Sequence, residues 1–239
     1  MTTQLGFVHI IESPSADDLL DGRTEGRALS EILNLAKIPY CYNLVTTSES
    51  FDTALNTRLG EAVNRFQQPP ILHLSMHGDQ DGVELTDTTS ISWTNLQARL
   101  ANLTNTMQGG LLICMSSCFG SSGYRMAMYE GEDKPFLALV GNESSVSWED
   151  AAVAYVTFYH LLFKGIQVEE CVNRMKWASN NNNFVMLSGH EIKAVWTEYM
   201  KLHREQILQR LLQRLTKQEI YQRTAPRAGL FGKPSELNT

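Results

Sequence analysis

Two short runs carry the means for nucleophilic chemistry. Leu72-His73-Leu74-Ser75-Met76-His77-Gly78 ends an apolar stretch on an imidazole, and Ile113-Cys114-Met115-Ser116-Ser117-Cys118-Phe119-Gly120 ends another on a thiol. A thiol of pKa ~8.5 is only a few per cent ionised at neutral pH, so it gains from an imidazole that takes its proton. The same imidazole can then protonate a leaving amine. Metal binding is the rival use, because His73/His77 and Cys114/Cys118 both have the i, i+4 spacing of a helical chelate. On strands, however, four residues span roughly 13 Å, too far for either pair to grip one ion. No metal site is expected, and His73 and Cys114 read as core residues.

The elements around these runs would have to bring them together. Apolar strand patterns cover 6–11, 40–45, 71–76, 111–116, 136–140 and 184–187, with helical spacing over 25–36, 50–66, 93–103, 149–164 and 168–178. Residues 83–85 and 90–92 pair as a small hairpin in this reading. Strands separated by helices predict parallel βαβ units, hence an α/β fold: a three-layer α/β/α sandwich with about six mainly parallel strands. Ligands bind such sheets beyond the carboxyl ends of the strands. If the strands ending at His77 and Cys118 are neighbours, ~4.8 Å apart, their side chains can meet.

The pair Leu-Ser-Met-His-Gly and Ser-Ser-Cys-Phe-Gly, with its histidine and cysteine 41 positions apart, resembles the caspase-like cysteine peptidases. Residues 71–120 are most similar to the bacterial CHAT proteases: a strand into His-Gly, a hairpin, Ser-Trp opening a helix, then a strand into Ser-Cys. The resemblance implies a caspase-like fold, a cysteine endopeptidase with no cofactor, Cys118 as nucleophile and His77 as its acid–base partner. It also implies an oxyanion site from the backbone N–H groups of Gly78 and Cys118, and demands no third catalytic residue. The caspase Gln-Ala-Cys-Arg-Gly motif is not met, since Ser116 and Phe119 replace the glutamine and arginine. The metacaspase aspartate position is Ser116 too. In this family that position lines the pocket for the residue before the cut bond; Glu143, Asp150 and Glu12 are candidates for a negative charge there, or else ordinary solvated carboxylates. The loop 130–135 is short, so activity is not expected to need cleavage in it.

Other uses stay open. Cys118 can be a buried structural thiol and His77 a turn cap, in a scaffold that keeps the fold without the chemistry. Alternatively, Ser116–Gly120 resembles a degenerate nucleophile elbow. Leu187-Ser188-Gly189-His190-Glu191 would then supply His190 as the base of an amidotransferase-like hydrolase.

Composition bounds the setting. The 239 residues are 43% hydrophobic and 19% charged, enough for one sizeable core. Four cysteines without regular spacing point to a reducing, cytoplasmic location, and no run approaches a membrane span. Met1-Thr2-Thr3-Gln4 lacks the basic start of a signal peptide. Residues 1–190, the expected peptidase domain, carry 11 Lys and Arg against 21 Asp and Glu; residues 191–239 carry 9 against 5. An acidic body argues against nucleic acid as the main partner. Residues 191–223 predict one amphipathic helix, with Ile192, Val195, Tyr199, Leu202, Leu208, Leu211 and Leu215 as its stripe. It would pack on its own domain or a second copy, or dock a regulatory protein, while 224–239 reads as a flexible tail. A protein substrate, cleaved by a regulated effector protease of the kind that serves bacterial defence, completes what the resemblance implies.

Overall fold

The computed structural model describes residues 6–131 and 135–224, the last eleven as backbone only. In chain order the elements are β1 (Phe7–Ser13), α1 (Ala16–Leu20), α2 (Glu25–Leu35), β2 (Tyr40–Leu44), α3 (Ser48–Thr53), α4 (Leu59–Phe66), β3 (Pro70–Gly78), β4 (Gly82–Glu84), β5 (Ser90–Ser92), α5 (Trp93–Thr106), β6 (Leu112–Ser116), β7 (Ala138–Asn142), α6 (Trp148–Leu162), α7 (Val168–Ser179), β8 (Phe184–Ser188) and α8 (Gly189–Thr224). A π-helical turn (Ala54–Arg58) joins α3 to α4, and a 3₁₀ helix (Gly120–Ala127) follows β6.

The main sheet has the order β2-β1-β3-β6-β7-β8, all parallel except β8. Strand alternation divides the apolar side chains between its two faces. Phe7, Ile11, Leu72, Leu74, Ile113 and Met115 pack with residues of α3, α4 and α5. Val8, Ile10, Ile71, Cys114 and Val140 pack with residues of α2, α6 and α7. The result is the three-layer α/β/α arrangement, with a mostly parallel central sheet and a long C-terminal helix.

β8 departs from the βαβ pattern for a topological reason. One helix after β7 would return the chain to start a parallel strand; here α6 carries it back and α7 carries it forward again. β8 therefore enters beside Asn142 and leaves beside Ala138. The β4–β5 hairpin forms as expected, with β4 antiparallel to the end of β3.

The chain divides into two compact units, one running through Trp196 and the other starting at Thr197. Within the first, Ile192 at the start of α8 packs against the core while Val195 is 71% exposed. Within the second, Tyr199 stacks on His203, and Leu202, Leu208 and Leu211 are about half exposed. No helix of the described residues is long and apolar enough to cross a membrane. The side chain of Leu215, the tail expected after Thr224, and Glu132 to Lys134 of the 130–135 loop lie outside the described residues.

Candidate active site

β3 and β6 are adjacent, with His73 opposite Cys114 and Ser75 opposite Ser116. The pairing of the two strands ends there, and His77, still within β3, and Cys118, two residues past β6, emerge at the same edge of the sheet. They line one cavity of about 490 Å³ with Arg23, Met76, Ser117, Val146, Ser147, Trp148 and Glu149.

Cys118 is carried on a tight turn. Phe119 adopts a left-handed backbone (φ 52°), an uncommon conformation for an aromatic residue, and its N–H donates to the Ser144 carbonyl (2.9 Å). The Gly120 N–H closes the turn on the Ser117 carbonyl. Two glycines let this turn settle onto the sheet. A Cβ on Gly120 would lie 2.7 Å from the Met115 carbonyl oxygen, and one on Gly141 of β7 would lie 2.6 Å from the Gly120 and Ser121 backbone. The thiol is partly buried and meets the loop after β7. The Val146 N–H donates to Sγ (3.4 Å), and Sγ lies 3.6 Å from the Val146 carbonyl oxygen.

The His77 side chain is 41% exposed. Its Nε2 lies 2.8 Å from Asp18 Oδ2, and its ring meets the Trp148 indole edge-on, with centroids 5.3 Å apart. Gly78 follows, its backbone against that of Cys118: a Cβ there would lie 3.0 Å from the Cys118 carbonyl oxygen.

Sequence reasoning missed Asp18. It lies on α1, a five-residue helix too short to show a period. Its signal was the Ser15-Ala16-Asp17-Asp18 capping pattern, in which Ser15 accepts from the Asp18 N–H. Burial pushes the Asp18 carboxyl up, but hydrogen bonding from Ser15, His77 and Trp148 outweighs it and holds the group below the usual carboxylate range.

The other expected site residues lie elsewhere. Glu12 is 1% exposed, and its carboxylate accepts from the Gly26 N–H (2.7 Å), the Arg27 N–H (3.1 Å) and the Tyr42 hydroxyl (2.7 Å). It caps the start of α2 and has no oxygen left for a ligand. Ser116 is 1% exposed, its hydroxyl buried on the sheet face opposite Ser75. Glu143 is exposed just beyond β7, and Asp150 sits in the first turn of α6; neither lines the cavity, whose charged residues are Arg23 and Glu149.

His190 is at the wrong end of the sheet for the amidotransferase-like scheme. Because β8 runs antiparallel, His190 abuts Gly109, ahead of β6, whereas Cys118 follows the other end of that strand. His73 and Cys114 are fully buried; His73 Nδ1 lies 3.1 Å from the Tyr159 hydroxyl and Nε2 3.4 Å from Glu25.

No family model matches the chain, and no curated protein matches it. Solved structures similar to it include the following two. One is the complex of the Porphyromonas gingivalis RgpB pro- and mature domains, at 12% identity and a TM-score of 0.48, covering 77% of this chain and 47% of that one. The other is the Arg-specific cysteine proteinase gingipain R, at 10% identity and a TM-score of 0.47, covering 77% and 46%. The chain thus spans about half the length of the structures it matches.

Proposed function

We propose that this chain is a caspase-like cysteine endopeptidase in which Cys118 attacks a peptide carbonyl and His77 manages the protons. The observation that carries this is the shared cavity: a thiol and an imidazole line it together, at the carboxyl ends of adjacent parallel strands. His77 takes the thiol proton as Sγ bonds to the carbonyl carbon. Negative charge on the carbonyl oxygen falls to the backbone N–H groups of Gly78 and Cys118. His77 then protonates the departing amine, leaving a thioester. Water, deprotonated by His77, cleaves that thioester and restores the thiol. The substrate is a specific protein, and the activity is that of a regulated CHAT-type effector, as in bacterial defence. The C-terminal helix is the proposed seat of a regulatory partner or a second copy.

Sequencing new N-termini in a proteome treated with wild type, Cys118→Ala or His77→Ala tests the proposal. Wild type alone should generate a defined set; identical sets from all three would reject it. A non-catalytic scaffold is the second reading, favoured by the engagement of Sγ with the Val146 peptide instead of His77. On that reading no new N-termini appear with any of the three proteins.

A further inference from the structure

The His77 imidazole has two nitrogens, and only one is committed. Nε2 lies 2.8 Å from Asp18 Oδ2, and the Asp18 side chain is 12% exposed. That carboxylate is itself fixed. Ser15 Oγ donates to Oδ2 (2.7 Å), the Asp18 N–H donates back to Ser15 Oγ (3.1 Å), and the Trp148 side chain favours the same carboxyl in its ionised form. Trp148 also packs edge-on against the imidazole, so one indole steadies both acid and base. α1 has little else to do: Leu19 and Leu20 are exposed, and Asp18 is its only buried residue.

An acceptor at Nε2 selects the neutral tautomer that carries its proton there. Nδ1 is then the nitrogen with a free lone pair. When that lone pair takes the thiol proton, the ring becomes an imidazolium, whose charge the neighbouring carboxylate offsets. Resting on the cysteine-hydrolase reading above, we propose that Asp18 is a positioning residue of the reaction: it holds His77 as the Nε2–H tautomer, aligns the ring with Trp148, and stabilises its protonated form. No co-reactant is needed, because the proton only moves between Cys118 Sγ, His77 Nδ1 and the leaving amine, while Nε2–H stays on Asp18.

An ion pair that merely anchors α1 would matter for stability and leave thiol chemistry alone, so the test reads thiol chemistry. Alkylation of Cys118 by iodoacetamide is followed from pH 5 to 9 in wild type, His77→Ala and Asp18→Asn, with near-ultraviolet circular dichroism as the check on folding. Asp18→Asn should move the midpoint of reactivity up by about one pH unit and slow the reaction at pH 7 about tenfold. A curve superimposable on wild type, with His77→Ala displaced, would overturn the role of Asp18 and leave the Cys118–His77 pair standing. Should His77→Ala also superimpose, the pairing itself fails, and Asp18 with it. Nitrogen NMR of His77 in Cys118→Ala protein tests the same point without altering Asp18: the neutral ring should carry its proton on Nε2, and an Nδ1–H ring would reject the proposal.

Discussion

At the scale of single residues, four cysteines of one chain occupy four environments. Burial drives the Cys114 thiol up to about 12 and Cys171 up to about 11, and it raises Cys41 as well. Each loses nucleophilic thiolate at neutral pH as a result. Cys118 alone borders the cavity with His77 and accepts a backbone N–H from Val146. Iodoacetamide at pH 7.5 is therefore expected to label Cys118 at least tenfold faster than the other three, as read by mass spectrometry of the digested protein. Comparable labelling of Cys41 would remove the case for a distinct nucleophile. The residue types at His77 and Cys118 announce this chemistry in the sequence. Glu12 does not announce its fate: a carboxylate at a strand end looks like a pocket wall until the first turn of α2 arrives to take both its oxygens.

Whole elements show where periodicity informs and where it misleads. The helical pattern over 50–66 reads as one helix, yet a π-turn interrupts it at Ala54–Arg58. The Ala54 carbonyl oxygen lies 3.0 Å from Nε2 of His9, a fully buried histidine on β1. That carbonyl also accepts the Leu59 N–H across the π-turn, so His9 is its second partner at a local break in the regular helix ladder. Burial lowers the His9 pKa to about 4, the bond to Ala54 notwithstanding. The sign of the consequence follows. Below the unfolded value of 6.5 the unfolded chain takes a proton that the folded chain refuses, so stability falls as pH drops from 6.5 towards 4. Between pH 7 and pH 5 this amounts to about 2 kcal/mol. Urea unfolding should show that loss in wild type and a correspondingly smaller one in His9→Gln; equal losses would contradict it. Other misses at this scale have plain causes. α1 is too short for a period, and the direction of β8 depends on how α6 and α7 stack, which their separate amphipathic patterns do not encode.

At the scale of the molecule, every cavity-lining residue and every candidate catalytic group belongs to the unit that runs through Trp196. A chain truncated after Trp196 is thus expected to keep its far-ultraviolet spectrum per folded residue and its rate of Cys118 alkylation within about twofold, the scatter usual for changes remote from a site. A tenfold fall in that rate would show that residues 197–239 complete the site. The same division gives the charge asymmetry a structural meaning, because the acidic balance falls on the unit with the cavity and the basic balance on the segment with α8.

By itself the sequence determined the layer architecture and singled out His77 and Cys118 as the candidate reactive side chains. Both are local properties: alternating apolar runs commit segments to strands or helices, and a histidine or cysteine at the end of such a run is visible without knowing its neighbours. What only the tertiary structure decided is every relation between segments distant in the chain. The adjacency of β3 and β6 brings His77 and Cys118 to one cavity. The packing of α1 beside β3 sets Asp18 on the imidazole 59 residues away. The antiparallel entry of β8 removes His190 from the site. Such contacts depend on where a whole element docks, and docking is fixed by the summed burial of many side chains, so no short motif can specify it.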